Sequence, residues 1–191
     1  MRRFLYFIAH FEILAVSAVL LGAFWIQFAQ RELPCPLCIV QRMAMLLCLM
    51  GPAVIITDGF KHKQRDVSSS TVMLGYGMSI LGAVIGLIAS GRQVLLHILP
   101  DDKGYGSAVM GMHLYSWAVV VFLTVLVFSG LRLLLCSPWR PQSSGERSLS
   151  SIVLWILGII ILGNAVSVFC EAGFHLYLPD NPTSYRLFSG S

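Results

Sequence analysis

Charge is what this chain lacks most. Of its 191 residues, 12% are charged and 57% are hydrophobic, whereas soluble proteins carry about a quarter charged residues. A soluble fold would leave much of that apolar surface facing water, which such folds do not tolerate. A membrane protein is the economical reading, and the net charge of +4 then concerns topology. Basic residues are nowhere clustered and interleaved with aromatics, so nucleic-acid binding is not indicated. Haem, dinucleotide and flavin fingerprints are missing as well. Cysteine is scarce: five residues and a single CxxC.

Five apolar runs are present, at 5–28, 39–57, 72–90, 114–135 and 152–170. Each is near the roughly 20 residues that cross a bilayer as a helix. Arg2 and Arg3 precede the first run, but it is too long for a signal sequence and no small-x-small cleavage site follows. It reads as a retained anchor. Short connections require consecutive helices to run antiparallel. The whole chain, 1–191, therefore reads as one integral membrane domain. Its fold class is all-α, a polytopic helix bundle with a four-helix core and a fifth transmembrane helix. The stretch 143–151 reads as a short polar linker. In the third span, Gly82, Gly86 and Ser90 recur at four-residue spacing, as do Gly75, Ser79 and Ala83. Small residues at that interval let helix backbones approach in lipid.

Lysine and arginine placement sets the expected orientation. One side collects Arg2, Arg3, Lys61, Lys63, Arg65, Arg132, Arg140 and Arg147; the other has Arg31, Arg42, Arg92, Lys103 and Arg186. The first side reads as cytoplasmic. The CxxC, the following 91–113 loop and the C-terminal tail then face outward, which in a bacterium is the oxidising periplasm.

The CxxC lies in LPCPLCIVQR, residues 33–42. The apolar run from Ile39 places Cys38 near a helix N-terminus, where exposed N–H groups favour a thiolate. Pro36 suits a first turn. Arg42 falls one turn past Cys38 on the same helix face, and its cation favours the anionic sulfur further. An intramembrane charge is costly, which makes Arg42 a functional candidate rather than a snorkelling side chain. A zinc site would need two more ligands, and the outward face offers only His97, His113, His175 and Cys170. A static disulfide here would staple almost no chain. A dithiol oxidised at this face needs an acceptor, and a quinone dissolved in the bilayer fits a protein that is nearly all membrane.

These residues resemble the signature of the disulfide bond formation protein B (DsbB) family. Pro34-Cys35-Pro36-Leu37-Cys38-Ile39 with Gln41-Arg42 carries the likeness. Trp25 and Gln27 are similar to that family's Trp-x-Gln, and Gly91-Arg92, Leu96 and Leu99-Pro100 to a second stretch. The resemblance covers about the first 135 residues. It implies a four-helix inner-membrane bundle that oxidises a periplasmic thioredoxin-fold thiol oxidase, DsbA-like, and passes the electrons to ubiquinone or menaquinone. It implies Cys35 and Cys38 as the redox pair, Cys38 as the sulfur that engages the quinone, and Arg42 as a quinone ligand. Cys35 is expected to be the more exposed sulfur, the one a partner dithiol attacks.

The chain departs from the family pattern in three ways. The 99–113 loop has no cysteine, where the family has a second pair. Gln93 stands where the family often has His, and His97 where it often has Gln. The fifth span lies beyond the family's four helices. Direct attack of the partner on the Cys35–Cys38 bond, or a relay through Cys170, are the two routes this leaves; an inert, buried Cys170 is the preferred reading. Other readings of the whole are a quinone-coupled oxidase for a different dedicated partner, the vitamin K epoxide reductase type, which places its CxxC at the last core helix, and a non-enzymatic membrane metal-binding or assembly protein.

Gln27, Gln93 and His97 are expected near the outward surface, lining a quinone ring pocket. His97 is either a proton carrier there or a helix-end histidine facing water. Glu12, with His10, reads as snorkelling to the cytoplasmic side. Asn164 is expected to hydrogen-bond between helices. Met43, Met45, Met50, Cys48 and Cys136 read as packing, and Trp117, Trp139 and Trp155 as interface anchors.

Overall fold

The computed structural model describes residues 2–61, 67–99, 101–102, 104–135, 144–175 and 177–188, without the side chains of 2–6, 61 and 144–146. The readings of Lys63, Arg65, Pro100, Lys103, Cys136, Trp139 and Arg140 lie outside the described residues, as do the side chains of Arg2, Arg3 and Lys61.

Five helices form the fold: α1 Arg2–Ala29, α2 Pro36–Lys61, α3 Ser69–Leu96, α4 Leu114–Leu134 and α5 Ser144–Ala172. The shortest, α4, has 21 residues, about 31 Å at 1.5 Å per residue and enough for the hydrocarbon core. All five are long and apolar enough to cross a membrane. They run past the apolar stretches at most ends. The 143–151 linker is helical from Ser144 onward, because Leu149 packs on the core and Ser150 meets His10 Nε2 at 3.1 Å, tying α5 to α1.

Helix α2 is the hub and touches the other four. One core cluster joins Ile13 and Leu20 of α1, Leu49 and Ile56 of α2, Ala83 of α3, Phe122 of α4 and Leu157 of α5. The small residues of α3 face inward as their spacing predicts. A Cβ on Gly75 would meet Gly51 O at 2.7 Å, and one on Gly82 would meet Cys48 N at 2.8 Å. Gly86 makes room for the Phe122 ring. Pro52 sits inside α2 and has no N–H for Cys48 O. Ser79 Oγ of α3 donates to that carbonyl at 2.7 Å instead. A backbone group freed in lipid must find a partner from a neighbouring helix.

The loop between α3 and α4 is ordered around a two-stranded hairpin, Ala108–Val109 with Met112–His113. Met110 (φ 53) and Gly111 (φ 81) form its two-residue turn, with positive φ at both positions as a type I′ turn requires. After α5, Gly173 (φ 60) reverses the chain. The tail then returns along the helix end, with Arg186 N donating to Glu171 O at 3.3 Å and Leu187 N to Cys170 O at 3.2 Å.

Several polar side chains depart from the sequence reading. Glu12 is only partly exposed, and its Oε1 is buried with no hydrogen-bond partner among the described residues. It lies in the interhelical interior, not snorkelled to water. Asn164 is buried, but its Oδ1 has no hydrogen-bond partner among the described residues. Met45 is buried in the core, whereas Met43 is on the lipid-facing side of α2. Cys48 packs as expected, its Sγ against Ser79 O at 3.5 Å. Trp155 is exposed on α5, and Trp117 Nε1 donates to Val109 O at 2.9 Å, pinning the hairpin to α4.

Candidate functional site

The CxxC forms the first turn of α2. Ile39 N donates to Cys35 O at 3.0 Å, the first bond of the helix, and Cys38 N donates to Cys35 Sγ at 3.2 Å. Cys35 is thus the N-cap, its sulfur standing where a Ser or Thr oxygen usually accepts. Pro36 follows at the first helical position, where its missing N–H costs nothing. Cys35 and Cys38 sulfurs lie 2.7 Å apart.

Beneath the pair sits Gln93 of α3. Its Nε2 lies 3.3 Å from Cys35 Sγ and 3.6 Å from Cys38 Sγ, and its Oε1 accepts from Gln41 Nε2 at 2.8 Å. The hydrogen bond with Cys38, and then burial, push the Cys35 thiol well above its ordinary range.

Arg42, one turn further along α2, is buried. Its Nη1 donates to Gln27 Oε1 at 2.6 Å and its Nη2 to Ala23 O at 3.2 Å, both on α1, and its guanidinium stacks over the Phe24 ring at 5.3 Å. Gln27 Nε2 in turn donates to Ser167 Oγ of α5 at 2.9 Å and to Tyr185 Oη of the tail at 3.3 Å. Gln27 and Gln93 are both buried, and neither is among the residues lining the groove of Cys38 and Arg42. Helix α5 and the tail cover the first, and the CxxC segment covers the second.

Cys38, Gln41 and Arg42 line one groove of about 90 Å³ between α1, α2 and α4. Its other walls are largely apolar: Val19, Ala23, Ile26, Leu33, Met45, Trp117 and Ala118. Val19 is exposed on the outer face of α1, so the groove opens where lipid would lie. Such a lining, apolar around a buried guanidinium, suits an apolar ligand that carries a polar oxygen.

The α3–α4 loop closes over the CxxC. Tyr105 Oη donates to Leu33 O at 2.6 Å, Ser107 N donates to Glu32 Oε2 at 2.9 Å, and Ser107 Oγ bonds Glu32 Oε1. Burial pushes the Tyr105 phenol up. The consequence reverses the expected order of the cysteines. Cys35 is 6% exposed and Cys38 is the more accessible residue and the one that lines the groove.

His97 is not brought into this cluster. Its Nδ1 lies 2.9 Å from Asp102 Oδ2, and its ring stacks on Tyr115. Asp102 is held below the ordinary carboxylate range by the Gly104 N–H and then by His97. This is a loop staple at the end of α3. Cys170 is half-buried near the end of α5, and its backbone carbonyl, not its sulfur, holds the tail. Among the described residues, no group of three or more His, Cys, Asp or Glu is arranged to hold a metal ion. Gln41, Ser167, Tyr185, Glu32 and Tyr105 escaped the sequence reading. Gln41 alone carried a signal, by its place in the decapeptide.

The family described as Disulfide bond formation protein DsbB matches residues 3–108. The chain is 29% identical over 146 residues to Disulfide bond formation protein B 2 of Burkholderia lata, covering 66% of this chain and 83% of that protein. It is 34% identical over 88 residues to Disulfide bond formation protein B of Nitrosomonas eutropha, 46% of this chain and 50% of that one. A relative of the same name from Chromohalobacter salexigens is 33% identical over 91 residues, with 47% and 49% covered. The chain thus spans about half the length of these last two relatives. No solved structure matches the chain. The family match takes in α1, the CxxC, Arg42, Gln93 and the loop as far as the first strand, more than half of the chain, and places this integral inner-membrane protein in the DsbB family of disulfide bond formation proteins.

Proposed function

We propose that this protein oxidises a periplasmic thioredoxin-fold dithiol protein, DsbA-like, through the Cys35–Cys38 pair and passes the electrons to a membrane quinone. The observation that carries this reading is that Cys38 and Arg42 line the same groove, with Cys35 directly behind Cys38. The quinone supplies a lipid-soluble acceptor of two electrons and two protons.

The chain's own residues divide the remaining work. Arg42 is the donor for a ring oxygen, and Gln27 and Ala23 O fix its direction. Leu33, Met45, Trp117 and Ala118 exclude water from the groove. Gln93 steadies both sulfurs during exchange. The partner's thiolate attacks the Cys35–Cys38 bond directly, since residues 99–113 carry no cysteine pair to receive it. Cys35 is the sulfur attacked, and Tyr105 and Ser107 must swing away from Leu33 and Glu32 to admit the partner. The lysine and arginine distribution supports an orientation with the CxxC and tail in the periplasm and the N-terminus in the cytoplasm.

Purified protein, a reduced thioredoxin-fold substrate and ubiquinone-1 or menadione test the reading. Quinone consumption that needs both Cys35 and Cys38 supports it. A mixed disulfide with a single-cysteine partner that survives replacement of both Cys35 and Cys38 overturns the direct route.

A further inference from the structure

Glu171 is 0% exposed at the end of α5, and neither carboxylate oxygen has a hydrogen-bond partner among the described residues. A buried polar group left without a hydrogen bond costs free energy and asks for another role. Two observations supply one. Arg42 and Cys38 of α2 lie within electrostatic reach of Glu171, although Arg42 spends hydrogen bonds on Gln27 and Ala23. On its other side, Glu171 lines a cavity of about 270 Å³ with Asn181, Thr183, Ser184 and Arg186 of the tail. That cavity has room for several waters, and Asn181, Thr183 and Ser184 at its rim are exposed. Glu171 thus stands in the closed inner wall between a polar cavity open to water and the buried Arg42 region, shielded from that water in this conformation.

We propose that Glu171 carries protons between the tail cavity and the Arg42 end of the groove. This deepens the quinone reading above and rests on it. Oxidising the Cys35–Cys38 dithiol forms one S–S bond and releases two protons and two electrons. Converting a quinone to its quinol takes up two of each. Glu171 lends one of the two protons on the acceptor side and recovers one from the tail cavity; of the two thiol protons, one supplies the other proton on the acceptor side and one leaves to solvent, so the sum balances. The fifth helix and tail are then a working part of the site. The charged and titratable groups facing Glu171 are Arg42 and Cys38 from α2, Tyr105 from the loop, and Arg186 from the tail.

The test uses the full chain in detergent with Glu171→Gln, which keeps size and polarity but cannot titrate, and Glu171→Asp, which can. Infrared difference spectra of the wild type, taken as Cys35–Cys38 is chemically reduced and reoxidised without quinone, should show a carboxyl carbonyl band. Glu171→Gln should abolish that band and Glu171→Asp displace it. With ubiquinone-1, Glu171→Gln should lower kcat by at least about tenfold, within the range of general acid–base effects. KM should stay unchanged, the alkaline limb of the pH profile should be lost, and Glu171→Asp should restore part of the rate. Absence of the carboxyl band in the wild type, or a wild-type kcat and pH profile in Glu171→Gln, overturns the proposal. If the wild type reduces no quinone, the parent reading fails, while the infrared band still decides whether the Glu171 carboxyl changes its protonation with the redox state of Cys35–Cys38.

Discussion

The side-chain amide of Gln93 donates to Cys35 Sγ at 3.3 Å from a position 58 residues away in sequence. Gln41 fixes which end of that amide meets the sulfurs, because its Nε2 already donates to Gln93 Oε1. A donor aimed at sulfur stabilises the reduced pair more than the disulfide, whose sulfurs accept weakly. Gln93→Leu is therefore expected to favour the disulfide. One hydrogen bond is worth about 1 kcal/mol, which corresponds to a potential about 20 mV more reducing. Equilibration of Cys35–Cys38 against glutathione measures it.

Cys35 and Cys38 hold each other in unequal states. The bond to Cys38 is the first cause that raises the Cys35 thiol, with burial second. Removing the partner should lower the pH at which Cys35 becomes reactive. In Cys38→Ala, the pH–rate profile of Cys35 alkylation is expected to shift toward that of an ordinary thiol. A profile that stays in place would show that burial governs Cys35 alone.

Access to Cys35 depends on the loop that covers it. Tyr105→Phe removes the 2.6 Å bond to Leu33 O, worth about 1 kcal/mol. Loop opening, and with it labelling of Cys35 by a water-soluble maleimide, should rise roughly fivefold. Glu32→Ala removes two acceptors at once, for Ser107 N and Oγ, and should have the larger effect. Labelling of Cys38, which already faces the groove, should change less.

Arg42→Ala should raise the apparent KM for quinone by about 10- to 100-fold, the worth of a hydrogen bond to a charged donor. The Cys35–Cys38 bond should still form. Arg42→Lys should recover little. A single ammonium cannot reach both Gln27 Oε1 and Ala23 O while keeping a donor for the groove. Steady-state kinetics with ubiquinone-1 over a range of concentrations separates these outcomes.

The elements legible in the sequence were those set by local chemistry. Five apolar runs of bilayer length, a Pro-containing CxxC at a helix mouth and an arginine one turn later all follow from near neighbours. The small-residue rows of α3 were legible because packing in lipid demands them. What escaped notice comes from distant chain. Cys35 reads as exposed from its own neighbours, but it is buried where Tyr105 and Ser107, seventy and seventy-two residues on, tie the loop to Leu33 and Glu32 beside it. Ser167, Glu171 and Tyr185 gather around Gln27 and Arg42 only because α5 packs on α1 and α2 and the tail folds back. The hairpin was hidden because Met110, not the usual Asn or Asp, takes the first left-handed position.

Pro52 and Ser79 form a pair that explains how α2 keeps a proline at membrane depth. The carbonyl of Cys48 is released by the missing Pro52 N–H and captured by Ser79 Oγ. Ser79→Ala should leave that carbonyl unpaired where water cannot reach and cost about 1–3 kcal/mol. Pro52→Ala restores an intrahelical donor, so the double variant should regain most of the loss. In a double-mutant cycle of unfolding free energies in mixed micelles, the two changes are expected to be coupled by about 1 kcal/mol or more. Additive effects would mean that the Ser79 hydroxyl serves Gly75 O, its second acceptor at 3.4 Å, rather than the gap left by proline. Gly75→Ala separates the contributions further. Its Cβ would press on Gly51 O and Ile55, driving the helices apart and lengthening the Ser79 bond. The combined loss with Ser79→Ala should then fall short of the sum.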